Sequence, residues 1–434
     1  LARFLARFVK EKIGTSSAVL VSFLGVPLLM GVQNWDDHDR SHRFVSVEFG
    51  RNLLRSVSPK GILFTYADND TFPLWYSQEV EGFRSDVRVC NLTYLGGDWY
   101  IDVMSRKAYD AEGLPFNLKR EDYLEGRNDV VLVQDRLTTP LNLSDAIRFV
   151  QSTDPRTKIL SPYAGVDQLA FIPTSNLWVR ADSTTLASYV SPQFLTSLYD
   201  TVYISPGSNL LYKNGFAMYA LLANNDWKRG LYYSPMLPKD MYWGLDKYFV
   251  AEGIVSGVEP VKRDSTMHEL VDTAKMYRYL MEDYNFRSIA DERVYLDETC
   301  KRMIEYYVDA FVAGSDAFVQ LGNKRRAEEL LDRCFAVLPP ARVGWSYKWI
   351  PLIETYYRSG AREKGDAKLH EYVQQCMATL RYIQRLSPTA YRNSENEISI
   401  NTALLQELMR VAQRYASRDM LEELDSELGG VLNS

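Results

Sequence analysis

Asp68-Asn69-Asp70 sets two carboxylates two residues apart. At that spacing a pair can share one divalent cation, and through it hold a phosphate-bearing ligand. The competing assignment gives Asp70 to a helix cap and Asp68 to a turn. A further carboxylate, Asp98, lies in Gly96-Gly97-Asp98-Trp99-Tyr100. A denser string is Asn34-Trp35-Asp36-Asp37-His38-Asp39-Arg40-Ser41. Asp36, Asp37, His38 and Asp39 supply enough oxygen and nitrogen donors to hold a cation. The plainer account makes them a hydrated stop after an apolar segment, with Asp39 capping the next helix. Asn224-Asn225-Asp226-Trp227-Lys228-Arg229 is the third patch. Trp227 and Arg229 could stack on and bind a sugar or phosphate, or equally anchor a loop. No G-x-S-x-G, Walker loop or G-x-G-x-x-G occurs. Cys90, Cys300, Cys334 and Cys376 lie far apart, so neither a zinc site nor a disulfide framework is indicated.

The elements around these residues read as α/β. Gly61–Tyr66 is a short apolar run that fits a buried parallel strand. Pro73–Gly82 reads as a helix, with Asp70 or Thr71 as cap and Pro73 in its first turn. Asp86–Leu92 is a second strand, completing a βαβ unit. Asp129–Gln134 is a third strand and Leu141–Ser152 a helix. Gln168–Ile172 and Leu177–Arg180 straddle Pro-Thr-Ser-Asn and read as a hairpin. Gly215–Ala223 is helical and Gly230–Ser234 a strand. In an open sheet of this Rossmann-like kind, ligands sit beyond the carboxyl ends of the strands. Asp68, Asn69, Asp70 and Asp98 would share that edge.

The chain opens with Arg3, Arg7, Lys10 and Lys12, and no charge follows until Asp36. Residues 13–33 are long and apolar enough to cross a bilayer. The basic side precedes the span and the acidic cluster follows it. That order places the start in the cytoplasm and everything after about residue 35 outside it. A signal peptide and a buried helix are the alternatives. The first residue is Leu, which suggests a processed or partial chain.

From about Ser265 onward the apolar spacing fits helices joined by short turns. In Asp309–Pro340, Phe318, Gly322, Ala327 and Pro339-Pro340 fit a tetratricopeptide-like pair, and a weaker copy starts near Trp345. The expected division is 1–35 (basic flank and transmembrane helix), 36–264 (α/β) and 265–434 (all-α helical repeats). The last would serve docking to a protein partner rather than chemistry.

The whole-chain arithmetic agrees with that division. At 434 residues the chain exceeds one ordinary core. Fifty Lys and Arg against 56 Asp and Glu leave a net charge of −6, which argues against nucleic acid as a partner. A hydrophobic fraction of 46% excludes a largely disordered chain.

Three strings resemble a known family: Gln33 to Ser41, Ile62 to Tyr76 with Gln78 to Gly82 and Asp86 to Val89, and Asn225 to Tyr232. They resemble the Bacteroidota integral-membrane family catalogued as domain of unknown function 2723, with Gly230 and Ala67 departing from its usual residues. The resemblance implies a membrane glycosyltransferase that takes sugar from a polyprenyl-phosphate carrier. This chain would be its periplasmic extension at the inner membrane, serving acceptor binding, protein or glycan, or complex assembly. The catalytic loop would lie outside this sequence, so the resemblance carries over no catalytic residue. A non-catalytic envelope scaffold is the alternative.

Overall fold

The computed structural model describes residues 11–160, 168–263 and 270–432. Helix α1, Glu11–Phe23, runs through a wide turn at Leu24–Leu28 into Leu29–Gln33. Pro27 explains the wide turn: it lacks an N–H and crowds the carbonyl four residues back, so the ladder opens locally. Gly14–Gln33 is long and apolar enough to cross a membrane, and most of its surface is left uncovered.

The central sheet has six strands in the order β13-β11-β12-β10-β1-β2. These are β1 Ile62–Thr65, β2 Arg88–Asn91, β10 Leu231–Tyr233, β11 Phe249–Glu252, β12 Val255–Val258 and β13 Leu270–Val271. Strand β1 pairs in parallel with both β2 and β10. Alternation along the strands divides the interior in two. Ile62, Phe64, Cys90, Leu231 and Tyr233 face one core, built with the rest of the α/β region. Leu63, Val89, Tyr232, Ala251 and Val255 face the other, which is continuous with the helical region.

Helix α2, Val45–Arg55, seals that second face. Its Asn52 donates to the Asn285 carbonyl at 2.9 Å and to the Tyr307 hydroxyl at 2.8 Å, and accepts from the Asn285 amide at 3.1 Å. A fully buried amide that satisfies both its ends in this way fixes how the helices sit on the sheet.

Two smaller sheets complete the α/β region. Strands β5 (Lys158–Leu160), β6 (Gln168–Ile172), β3 (Val130–Val133) and β9 (Leu210–Tyr212) form one. Strands β4 (Leu141–Asn142), β7 (Leu177–Arg180) and β8 (Thr201–Ile204) form the other. The hairpin expected across Pro-Thr-Ser-Asn is therefore corrected. Strand β6 pairs with β3 and β5, whereas β7 pairs with β4 and β8. The turn hands the chain from one sheet to the next, held by the Arg136 and Leu137 amides on the Pro173 carbonyl.

Beyond the sheet the chain is helical. Glu298–Gln320 and Lys324–Val337 pack antiparallel about Gly322, whose φ of +73° only a glycine adopts freely. Ile350–Ser359 and Arg362–Gln384 repeat the arrangement about Gly360. Glu395–Tyr415 and Arg418–Leu432 follow. Strand β13 falls in the part expected to be purely helical. Two residues are too short a run to show periodicity.

Candidate functional site

The helix after β1 begins five residues earlier than Pro73. It is α3, Asp68–Glu79. Asp70 is fully buried and accepts from the Ala67 amide at 3.0 Å and the Tyr66 amide at 3.2 Å. It caps the helix from its third position. Burial raises its pKa, against the hydrogen bonds from Ser234 and the two amides. Asp68 and Asn69 are exposed on the first turn. The DxD thus splits, with one carboxylate spent inside the fold and the other facing water.

The rest of the carboxyl edge is stitched together. Thr71 donates to Thr65 at 2.8 Å, and Asn91 donates to Thr71 at 2.9 Å. Asn91 also accepts from the Thr93 and Tyr94 amides. Asp98 opens helix α4, Asp98–Met104, and accepts from the Trp99 amide at 2.7 Å.

Trp227 and Arg229 lie at the opposite end of the sheet, before the start of β10. Trp227 is 2% exposed, and its indole donates to the Arg180 carbonyl at 2.8 Å. Arg229 donates to the carbonyls of Lys60, Glu112 and Gly113 at 2.7, 3.1 and 3.3 Å. Burial, and then repulsion from Arg88, push its pKa down to about 10. The structure therefore does not bring these two residues to the edge that carries Asp68 and Asp98.

Near the membrane helix, His38 Nδ1 lies 3.0 Å from the Asn34 carbonyl, and Asp39 accepts from the Ser41 amide at 2.7 Å. Hydrogen bonds from Ser41 lower the Asp39 pKa. The side chains of Asp36 and Asp37 lie outside the described ones. Among the described residues no group of three or more His, Cys, Asp or Glu comes together to hold a metal ion.

A cleft of about 510 Å³ opens instead beside β2, the edge strand of the central sheet. Trp75 and Glu79 of α3 form one wall, and Trp99 and Val103 of α4 the other. The segment from Arg106 to Ala111 closes the end, with Tyr109 donating to the Glu79 carboxylate. Arg88 of β2 lies in the cleft. Trp75, Trp99, Tyr100 and Tyr109 line the cleft, and behind them Tyr94 links the two walls, 6.2 Å from Trp75 and 6.2 Å from Trp99. Trp99 is 57% exposed and Tyr109 61%. Clefts that hold small molecules are lined mainly by apolar and aromatic side chains with a few polar groups among them. Apolar and aromatic side chains share the lining with Arg88, Arg106 and Lys107, and the volume suits a small molecule.

Sequence reasoning passed over Arg88, Trp75, Trp99 and Tyr109. The available signal was helical spacing on an exposed face. Trp99 and Val103 recur at i and i+4 outside the core and both line the cleft, whereas the exposed stripe Phe72, Tyr76 and Val80 on α3 does not line it.

Residues 46–275 match the family described as TMEM260-associated domain 2. No curated protein and no solved structure matches the chain. The match corrects the expected membership in the domain of unknown function 2723 family. Two of the three strings behind that expectation fall inside the matched span. There they build β1, α3 and the Trp227 anchor.

Proposed function

As a member of the TMEM260-associated domain 2 family, this chain is, we propose, a membrane-anchored module that binds a small ligand in the cleft beside β2. Gly14–Gln33 crosses the membrane, and the folded part stands on the side opposite the basic flank. The α/β region is a Rossmann-like layer that has moved its ligand from the carboxyl edge to the sheet's open side. The helical region is a tetratricopeptide-like surface for a protein partner, placed on the reverse face of the same sheet.

The observation that carries this reading is the ring-lined cleft. Two of its rings, Trp99 and Tyr109, are exposed around a hollow, while Asp70, Thr71 and Asn91 of the neighbouring carboxyl edge are engaged in structural hydrogen bonds. The expectation of service to a lipid-linked-sugar transferase rested on a resemblance that the family match replaces, and the binding reading does not depend on it.

The test is native mass spectrometry of the full chain in detergent, beside Val103→Trp, which fills the cleft. Val103 is 46% exposed, so the fold tolerates the larger side chain. A small-molecule adduct on the wild type that is absent from the variant supports binding. Identical spectra, together with unchanged tryptophan emission on adding small aromatic solutes, contradict it.

A further inference from the structure

Arg88 is 6% exposed, on an edge strand, beside the cleft. Its Nη2 donates to the Val103 carbonyl at 2.9 Å, and its Nε is buried with no partner. Among the described residues no carboxylate forms an ion pair with it. Arg229 lies close enough to repel it and has a buried, unpartnered Nη2 of its own. The carboxylate whose field reaches Arg229 is Glu112, an exposed residue paired with Lys107 at 3.1 Å. Two guanidinium groups are thus drawn into the protein with backbone carbonyls for company. A buried charge without a counter-charge costs several kcal/mol, on the order of what removing one partner of a buried ion pair costs. An anion in the cleft would supply the missing partner.

The cleft carries the same sign. Arg88, Arg106 and Lys107 line it against one carboxylate, Glu79, which is occupied by the Tyr109 hydroxyl, while Lys107 is shared with Glu112 outside the lining. A guanidinium whose Nε lacks a partner keeps part of the planar fork that suits phosphate oxygens. Trp75 and Trp99 supply flat apolar walls for a ring.

We propose that the cleft takes a ring-bearing phosphomonoester, its phosphate held by Arg88 with Arg106 and Lys107 at the mouth and its ring set between Trp75 and Trp99. This rests on the cleft being the binding site and adds the charge and shape of the ligand.

The experiment is calorimetric titration of the full chain in detergent with phenyl phosphate, inorganic phosphate and neutral benzyl alcohol. Phenyl phosphate is expected to bind at least tenfold more tightly than either other probe, with an affinity that falls as salt rises. Arg88→Met removes the charge at similar bulk and should weaken phenyl phosphate at least tenfold while sparing benzyl alcohol. Should that variant not fold, Arg106→Gln with Lys107→Gln changes exposed residues and should weaken phenyl phosphate severalfold. Benzyl alcohol binding as well as phenyl phosphate would overturn the anion inference and leave the cleft as a binding site. Arg88-dependent binding that is untouched by Trp99→Ala would overturn the ring pocket and keep the anion site. Phenyl phosphate that binds Arg88→Met as it binds the wild type, or that binds nowhere, overturns the inference.

Discussion

Replacing Lys275 with Met should expose how much the buried charge cluster behind the sheet contributes to the fold. Lys275 Nζ lies 2.8 Å from Glu252, 3.4 Å from Glu259 and 3.6 Å from Asp272, and donates to the Tyr189 carbonyl at 3.0 Å. All three carboxylates are 1% exposed or less. Burial raises the pKa of Glu252 and Glu259, while Lys275 pulls the other way. Burial also works against the ammonium, but Glu252 and Glu259 outweigh it and hold Lys275 above its ordinary pKa. Removing the cation leaves the carboxylates facing one another, at a cost of about 3–5 kcal/mol near neutral pH. With unfolding entropy of about 2 cal/mol/K per residue over 434 residues, that lowers the melting temperature by roughly 3–6 °C.

The sign with pH follows from the raised carboxyl pKa values. Their contribution is fully present below the unfolded value near 4.3 and is lost as pH rises through the folded values. Without Lys275 those values rise further. The gap between wild type and variant should therefore be small at about pH 4.5 and full at about pH 7.5. Calorimetric melts of both chains at the two pH values read this directly. A gap under about 1 kcal/mol at neutral pH, or one that widens on acidification, would refute the reasoning.

Asp70→Ala removes the acceptor for two amides at the start of α3, so denaturant unfolding should show a loss of about 1–2 kcal/mol, with Asp70→Asn milder. Gly253 holds φ +66° in the β11–β12 turn, and an added Cβ would overlap the Tyr284 hydroxyl. Gly253→Ala should therefore cost about 2–4 kcal/mol in the same assay, and a neutral result would mean that the turn relaxes. Trp227→Phe leaves the Arg180 carbonyl without its donor and should cost about 1–3 kcal/mol while leaving cleft binding intact. A loss of cleft binding in that variant would move Trp227 from anchor to site.

The sequence exposes the strands and helices whose patterning is local. Ile62–Thr65, Leu231–Tyr233 and Leu143–Gln151 lie within a residue or two of their expected bounds. Pairing is a long-range property, and there the local reading failed. Strands β6 and β7 are close in sequence yet belong to different sheets, because nothing in Pro-Thr-Ser-Asn says which edge each will meet. The start of α3 was misplaced because Pro73 signals a first turn more loudly than Ala67 signals a cap. The candidate site was hidden for a related reason. Arg88 reads as an ordinary charge in a strand, and only the packing of α4 reveals that it is buried without a counter-charge. The acidic strings are more conspicuous in the sequence than Arg88 is. One of their carboxylates is a cap and another, Asp39, is tied to its own turn.

All four cysteines are buried, so a single introduced thiol at the cleft mouth can report on both the membrane and the ligand. In intact cells, Tyr109→Cys should react with a membrane-impermeant maleimide without permeabilisation, and phenyl phosphate should slow that reaction. Labelling that requires the membrane to be opened, at a rate indifferent to phenyl phosphate, would contradict a membrane-anchored binding module with its cleft on the far side.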